Sequence, residues 1–317
     1  PQREIGELLD EVERKFFSVT EQKVTAEPST LSALLEETFR QIQDREGQYL
    51  SGLPTGFLEL DDLTSGLQPG EMIVVAARPS MGKTALALNI ARNAAVETGI
   101  PAAIFSLEMS KEQLAFRMLS AEARIDASRM RGGFLSETDL ARIIRAAGAL
   151  SDIPIYIDDS PTISALEIRA KARRMKMEKG LGLIIIDYLQ LMKGRSSAER
   201  RELEISEISR SLKALAKEVD VALVALSQLN RKVEDRSNKR PVLSDLRESG
   251  AIEQDADVII FIYRDEVYNR DENNPNKGIA ELLLAKQRNG PTGTVKLAFL
   301  ERYTRFEDLA PETEPTV

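Results

Sequence analysis

The sequence predicts an α/β fold with a mostly parallel central sheet, preceded by separate helices. Two observations carry this prediction. From Glu71 onward, short apolar runs alternate with stretches of helical periodicity, and a phosphate-binding loop directly follows the first run. Runs that are continuously apolar, rather than alternating, are typical of strands buried on both faces of a parallel sheet.

Two amphipathic helices are predicted ahead of the sheet. Apolar residues recur at helical spacing over 5–16 and again over 31–42, with acidic residues between them. The second stripe consists of Leu31, Leu34, Leu35, Phe39 and Ile42. Polar segments with turn residues flank this helix. A stripe this narrow needs a partner, which is either the helix's own domain or a neighbouring subunit.

Six apolar runs are predicted to form the parallel strands. They lie at 72–76, 102–107, 154–157, 183–186, 221–226 and 258–263. Residues 110–113 and 164–167 fit capping boxes that start the intervening helices. Two further runs, at 279–285 and 294–300, flank the turn sequence QRNGPTG and predict an antiparallel hairpin at the sheet edge. The expected boundaries are a helical linker and subunit-docking segment at 1–48, the α/β domain at 49–310 and an acidic tail at 311–317.

The composition excludes several chemistries. The 317 residues contain no Cys, His or Trp. Disulfides, thiolate or imidazole metal sites, a Cys nucleophile, a Ser/His/Asp triad and a histidine base are therefore impossible. Any reaction must use carboxylates, Lys, Arg, hydroxyls, amides and a hard metal ion. No apolar stretch approaches the roughly 20 residues that span a bilayer, so no membrane partner and a cytoplasmic location are expected.

The net charge of −8 is unevenly distributed. Residues 1–62 hold 14 acids and 6 bases, and the remaining residues balance at 37 of each. Without the acidic stretch 301–317, the body over 63–300 carries about +3 by the same count. A basic groove for nucleic acid is compatible with this distribution, although charge alone does not demonstrate one.

The phosphate-binding loop stands between a strand and a helix, as its chemistry requires. It comprises Ala77, Arg78, Pro79, Ser80, Met81, Gly82, Lys83 and Thr84. Backbone N–H groups are expected to hold phosphate oxygens of ATP, with Lys83 adding charge at the β and γ phosphates and the Thr84 hydroxyl binding Mg²⁺. Ala77 departs from the general pattern, which has Gly at this position.

Three polar residues follow other buried strands. Asp187 ends the run LIII and is expected to hold Mg²⁺ through water. Glu108 follows the strand after the loop helix and is the candidate general base. Gln228 ends another run and is a candidate sensor of the γ phosphate. The alternatives are a turn or cap residue for Asp187, a solvated acid for Glu108 and an ordinary loop amide for Gln228.

In combination, these motifs resemble the C-terminal motor domain of DnaB-type replicative DNA helicases, with its linker region. The resemblance extends from about Thr55 to Gly293. It is carried by TGFLELDDLTSGLQPGE, AARPSMGKTALALNIA, FSLEMS, LIIIDYLQLM, LSQLNRKVEDRSNKRPVLSDLRESGAIEQDAD and AKQRNGPTG. The family tolerates Ala77. The resemblance implies a RecA-like fold, a homo-hexameric ring with ATP sites between subunits, and unwinding of duplex DNA by translocation on single-stranded DNA.

The resemblance also implies roles for residues that no local pattern identifies. Lys286 and Arg288 match the family's arginine-finger position, which reaches a neighbouring subunit's ATP. The stretch Leu246–Gly250 resembles the central-channel DNA loop, with Arg247, Glu248 and Gly250 as contacts. Arg195, in the polar run 193–201, is a second channel candidate. Primase and a helicase loader are implied partners, and the absence of the family's primase-interacting collar implies a fragment.

The sequence is also compatible with two other functions. A recombinase-type DNA-dependent ATPase would share the fold, but the LSQLNR and LRESGAIEQDAD stretches favour the helicase. A non-hydrolysing, nucleotide-dependent assembly factor is opposed by the presence of Lys83, Thr84, Glu108, Asp187 and Arg288.

Overall fold

The computed structural model describes residues 29–44, 49–192, 201–246 and 250–310. By their internal contacts, the residues divide into two units, Pro1–Gln48 and Tyr49–Val317. In the first unit, α1 (Leu31–Asp44) is the described helix. Its predicted apolar stripe is present, and all five of its side chains are between 51% and 71% exposed.

In the described part of the second unit, nine strands form one sheet. They are β1 (Met72–Ala77), β2 (Ala102–Ser106), β3 (Ile155–Asp158), β4 (Leu183–Asp187), β5 (Ala222–Gln228), β6 (Val258–Tyr263), β7 (Ile279–Gln287), β8 (Gly293–Leu300) and β9 (Arg305–Asp308). Their order is β3-β2-β4-β5-β1-β6-β7-β8-β9. The first six in this order are parallel, and β7, β8 and β9 continue the sheet as an antiparallel extension.

Helices cover both faces of this sheet. They are α2 (Leu58–Thr64), α3 (Lys83–Thr98), α4 (Lys111–Ala123), α5 (Ala127–Gly132), α6 (Glu137–Ser151), α7 (Ala165–Lys179), α8 (Arg201–Val219), α9 (Gly250–Asp255) and α10 (Asp265–Tyr268). Short 3-10 turns lie at Leu189–Leu191, Arg231–Asp235, Leu243–Asp245 and Glu301–Tyr303. Among the described helices, none is long and apolar enough to cross a membrane.

The core consists of two apolar layers, one on each face of the sheet. Along β1, Ile73 and Val75 face the layer that contains α2 and α3, whereas Met72 and Val74 face the layer that contains α7 and α8. Every residue of β1 is buried, which explains why the strand is continuously apolar. The predicted α/β fold with a mostly parallel sheet is therefore confirmed.

The predicted hairpin is present beside the last parallel strand, and one further strand extends it. Strands β7 and β8 pair antiparallel as expected, and β9 then pairs with β8 and forms the edge. This strand lies within the predicted α/β domain at 49–310, but no apolar run in the sequence predicts it. Phe306 of β9 is only 3% exposed and packs against Phe299 of β8 with ring centroids 4.7 Å apart.

The helix starts follow local rules. Ser110 and Ser164 form the predicted capping boxes of α4 and α7 with Gln113 and Glu167. A third box, Ser136 with Asp139, starts α6 and was missed because Asp replaces the usual Glu or Gln.

Phe306→Ala tests whether β9 belongs to the core. We expect the free energy of unfolding to fall by about 3–5 kcal/mol, because a buried aromatic side chain is removed and a cavity remains. Phe134, which is 80% exposed, provides a control: Phe134→Ala should change stability by less than about 0.5 kcal/mol. Equal urea midpoints for the two variants would contradict this assignment.

Candidate active site

The phosphate-binding loop occupies the carboxyl edge of the sheet, between β1 and α3. Ser80 and Gly82 have positive φ values of 67° and 98°, and Met81 N–H points to the Arg78 carbonyl at 3.4 Å. Gly82 is required here, because a Cβ atom would lie 2.8 Å from the Phe306 ring. The loop leads directly into the 16-residue helix α3, whose N-terminal N–H groups favour an anion.

Lys83, Thr84 and Asp187 meet beneath this loop. The Thr84 hydroxyl donates to Asp187 Oδ2 at 2.6 Å, and Lys83 Nζ lies 3.8 Å from Asp187 Oδ1. Asp187 ends β4, and Thr84 lies in the first turn of α3. The parallel strands bring these residues together from positions 103 residues apart.

Lys83 stands in a partly buried, acidic environment. Burial lowers the pKa of its ammonium group, and the carboxylates of Asp187 and Glu108 oppose that shift. Lys83 Nζ also lies 4.5 Å from the centre of the Tyr188 ring. This aromatic contact was not identified from the sequence.

Glu108 is an exposed residue on a tight turn after β2. The Ser106 hydroxyl shapes this turn: it accepts from Met109 N–H at 3.2 Å and donates to Met109 O at 2.7 Å. Leu107 N–H donates to the Asp187 carbonyl at 2.7 Å, so the turn is joined to β4. Glu108 influences the pKa of both Lys83 and Tyr188, which places its carboxylate within electrostatic range of the loop.

Gln228 lies beside the start of the loop. It ends β5, and its backbone pairs with Ala77 in the β1–β5 register. Gln190, which follows β4, accepts from the Gln228 backbone N–H at 3.3 Å and donates to the Ser227 hydroxyl at 2.8 Å. Strands β4, β5 and β1 are neighbours, so their polar ends share one edge.

The other loop residues differ in exposure. Ala77 and Met81 are buried, whereas Pro79 and Ser80 are exposed. The Arg78 side chain is directed away from the loop, because it donates to Glu234 Oε1 at 2.8 Å and to the Leu229 carbonyl at 3.0 Å. Arg78 can therefore offer only its backbone N–H to a phosphate.

The residues around Asp187 fit a magnesium ion. Asp187 is 1% exposed, and its Oδ1 atom has no hydrogen-bond partner. A hydroxyl and a single carboxylate, completed by water and phosphate oxygens, are a common donor set for Mg²⁺. No cluster of three acidic ligands exists among the described residues, and none is needed for an ion bound together with a nucleotide.

Lys286 and Arg288 lie at the opposite edge of the sheet. Lys286 pairs with Ile259 near the start of β6, roughly 13 Å along the strand from its carboxyl end. Its ammonium donates to the carbonyls of Glu253 and Ala256, both at 2.6 Å. Arg288 donates to the Gln254 carbonyl at 2.5 Å and lies 3.3 Å from Asp257 Oδ1. Neither residue belongs to its own chain's phosphate site.

The candidate DNA contacts fall largely outside the described residues. Arg195, Arg247 and Glu248 are not described, and Gly250 is an exposed residue at the start of α9. Just before this region, Leu246 forms an isolated antiparallel bridge with Leu229. The channel role of these residues stays a prediction.

Arg264 is a buried cation that the sequence reasoning missed. It follows β6, is 2% exposed and donates to the Ser80 carbonyl at 3.0 Å. A charged residue directly after a continuously apolar run was a usable signal, since the same pattern identified Asp187.

The fold and the site define an ATPase of the phosphate-binding-loop class. The model of the DnaB-like helicase C-terminal domain family matches residues 52–308. The replicative DNA helicase DnaB of Geobacillus stearothermophilus is 53% identical over 310 residues, covering 96% of this chain and 68% of that protein. The replicative DNA helicase DnaC of Bacillus subtilis is 51% identical with the same coverage.

Two solved structures are also similar to this chain. A solved ATPase domain superposes with a TM-score of 0.84 at 41% identity, covering 90% of this chain and all of that one. A DnaB-like replicative helicase, studied with its primase interactions, has a TM-score of 0.81 at 40% identity and covers 93% of this chain and 70% of that one. The chain belongs to the DnaB-like helicase family, and its function is that of a replicative DNA helicase.

Proposed function

We propose that this chain hydrolyses MgATP at sites completed by a neighbouring subunit, and that it uses the energy to move along single-stranded DNA and unwind duplex DNA. The observation that carries the proposal is the cluster of Lys83, Thr84 and Asp187 beneath the loop, with Lys286 and Arg288 at the opposite sheet edge. Such a chain holds two complementary halves of a site and can complete it only with another copy.

Phosphate binding would rest on the loop and its helix. The backbone N–H groups from Ser80 to Thr84 offer donors to the β phosphate, and Lys83 adds its charge at the γ phosphate. Thr84 and Asp187 would hold the magnesium ion, which supplies charge compensation for the leaving phosphate when bound. The buried Oδ1 atom of Asp187, which accepts no hydrogen bond, supports this role.

Hydrolysis requires a base near the γ phosphate. Glu108 would orient the attacking water and accept its proton, because the turn after β2 holds it at the edge where the loop lies. Gln228, tied to Gln190 and paired with the strand before the loop, would detect the γ phosphate.

The neighbouring subunit would supply Lys286 and Arg288. Two cations directed at the γ phosphate from outside the chain would stabilise the transition-state charge only in the assembled state. Both already bond to backbone carbonyls near the end of α9. Movement of α9, which directly follows the candidate DNA loop, would therefore shift both cations.

The exposed stripe of α1 would join neighbouring subunits. On the α/β unit, Phe134, Leu140 and Ile144 are exposed apolar side chains, with exposures of 80%, 48% and 72%. Leu140 and Ile144 are four residues apart on α6 and share one face. We propose that α1 of a second copy packs on the face of α6 that carries Leu140 and Ile144, in a head-to-tail interface, and that this interface repeats around the hexameric ring that the family resemblance implies.

DNA would pass along the channel loops. Arg195, Arg247, Glu248 and Gly250 are the proposed contacts, and backbone-phosphate binding of this kind is independent of sequence. The solved relative studied with primase supports primase as a partner, and a helicase loader is proposed from the family resemblance.

The proposed activity predicts ATP turnover that single-stranded DNA stimulates, together with unwinding of a forked duplex. Phosphate release with and without an oligonucleotide, and strand displacement with ATP, are the measurements. Turnover that is indifferent to DNA would contradict the coupling.

Two substitutions should separate binding from chemistry. We expect Lys83→Ala to lose nucleotide binding and turnover, because phosphate charge is no longer compensated. Glu108→Gln should bind ATP within about twofold of the parent but lose turnover by at least about 100-fold, since only the base is removed. Titration with a fluorescent ATP analogue and phosphate release measure the two properties. ATP turnover by Glu108→Gln at the parental rate would show that Glu108 is not the general base.

Mixing two inactive variants tests the shared site. Lys83→Ala protomers retain the finger and Arg288→Ala protomers retain the loop, so an equal mixture contains about one quarter intact interfaces if subunits exchange randomly. We expect turnover in the mixture well above the sum of the separate variants. The control mixes each with the double variant Lys83→Ala/Arg288→Ala, which can rebuild no intact interface. With exchange verified by mass measurement, absence of recovery would indicate a site within one chain.

Replacing Leu35 and Phe39 together by serine should weaken oligomerisation while the α/β unit keeps its melting temperature. Burial of each such side chain is worth about 1.5–3 kcal/mol, so two losses should dissociate the assembly at micromolar concentration. Leu140→Ser/Ile144→Ser should produce the same defect from the other side of the interface. Glu36→Ser/Gln43→Ser on the same helix is the control. Unchanged association with a lower monomer melting temperature would show that α1 packs on its own chain.

A further inference from the structure

We propose that Arg264 is a positioning residue for the nucleotide: it holds the phosphate-binding loop in its binding shape through the Ser80 carbonyl. This inference rests on the proposed function, because it assigns the loop to ATP. Arg264 contacts the loop through the Ser80 backbone carbonyl, which cannot donate to a phosphate, and its role is therefore indirect.

The Arg264 guanidinium is bound on several sides. Nη1 donates to the Ser80 carbonyl at 3.0 Å, while Nε and Nη2 donate to Glu266 Oε1 at 3.0 and 2.5 Å. Its centre lies 4.0 Å from the centre of the Phe299 ring. Glu301 Oε1 is 3.7 Å from Nη2. A planar guanidinium can donate within its plane and stack on a ring at the same time, which an ammonium cannot do.

Glu266 in turn is fixed by the backbone. Its Oε2 atom accepts from Gly278 N–H at 2.9 Å, just before β7. Arg264 thus links the loop to the start of the antiparallel extension. Glu266 neutralises the charge of Arg264. The buried guanidinium therefore does not need a bound nucleotide to balance its charge.

The Ser80 carbonyl is a point where the loop needs support. Ser80 has a φ of 67°, a conformation that L side chains rarely adopt. In a trans peptide the C=O and N–H groups point in opposite directions. A Ser80 carbonyl held by Arg264 therefore fixes the plane of the Ser80–Met81 peptide, whose N–H donates to the Arg78 carbonyl at 3.4 Å, and with it the course of the loop into Gly82.

The aromatic pair Phe299 and Phe306 packs against the same loop at Gly82. Their rings would lie 3.2 and 2.8 Å from a Cβ atom at Gly82, so the loop rests directly on them. Arg264 stacks on one of these two rings. The loop is thus held by a hydrogen bond at Ser80 and by packing at Gly82, both from residues of the β6–β9 side of the sheet.

The test compares Arg264 with Arg240, an arginine with similar partners whose side chain is 43% exposed. Arg240 also lies over a ring, 4.9 Å from the centre of Tyr263, and it forms two hydrogen bonds with Glu281 at 2.8 and 2.6 Å. It has no hydrogen bond or ion pair with the described loop residues. Arg240→Met is therefore the matched control for Arg264→Met, and Arg264→Lys keeps the charge without the planar group.

Affinity for a fluorescent ATP analogue is measured on the full chain without DNA, together with the melting temperature and steady-state turnover. We expect Arg264→Met to raise Kd and KM about tenfold with a smaller fall in kcat, since the loop contributes to ground-state binding. Arg264→Lys should recover only part of the affinity, and Arg240→Met should remain within about twofold of the parent.

Several outcomes would overturn the inference. The first is a Kd for Arg264→Met less than about threefold above that of the parent. The second is an equal loss of ATP affinity in Arg240→Met, and the third is parental ATP affinity in Arg264→Lys. If Arg264→Met does not fold, hydrogen exchange over 78–84 in Arg264→Lys replaces it, and exchange as slow as in the parent overturns the role. Lys83→Ala tests the proposed function separately. If ATP binding is unchanged in Lys83→Ala, the loop is not the ATP site, and the proposed function fails whatever Arg264 does.

Discussion

The contact between Asp187 and the first turn of α3 depends on the correct assembly of the whole sheet. A carboxylate that is 1% exposed is costly to bury, and here one oxygen accepts from Thr84 while the other faces Lys83 at 3.8 Å without a hydrogen bond. The two elements meet only because β4, β5 and β1 lie side by side in parallel register. The incompletely paired oxygen marks the place where a cation and phosphates would complete the arrangement.

The candidate site residues lie at two different ends of the parallel strands. The carboxyl edge presents the loop, Asp187, Glu108 and Gln228. The amino edge presents Lys286 and Arg288, bonded to carbonyls at the end of α9. This separation along β6 keeps Lys286 and Arg288 away from the phosphate-binding loop of their own chain.

Residues of the antiparallel extension, strands β7 to β9, lie at both of these positions. One end of β8 and β9 places Phe299 and Phe306 against the loop, and Arg264 adds its bond to Ser80. Lys286 lies in β7, with Arg288 directly after it. Because β7 pairs with β8 and β8 with β9, the residues that pack against the loop and Lys286 belong to one antiparallel extension.

Much of the fold and part of the site were determined by sequence alone. Continuous apolar runs predicted the parallel strands, the loop motif predicted the phosphate site, and two serine capping boxes predicted helix starts, since each depends on neighbours a few residues apart. Tertiary structure alone decided that β9 closes the sheet, that the Arg78 side chain leaves the loop, and that Arg264 reaches Ser80 across 184 residues. These outcomes follow from strand register and side-chain packing between distant segments, which no local pattern encodes.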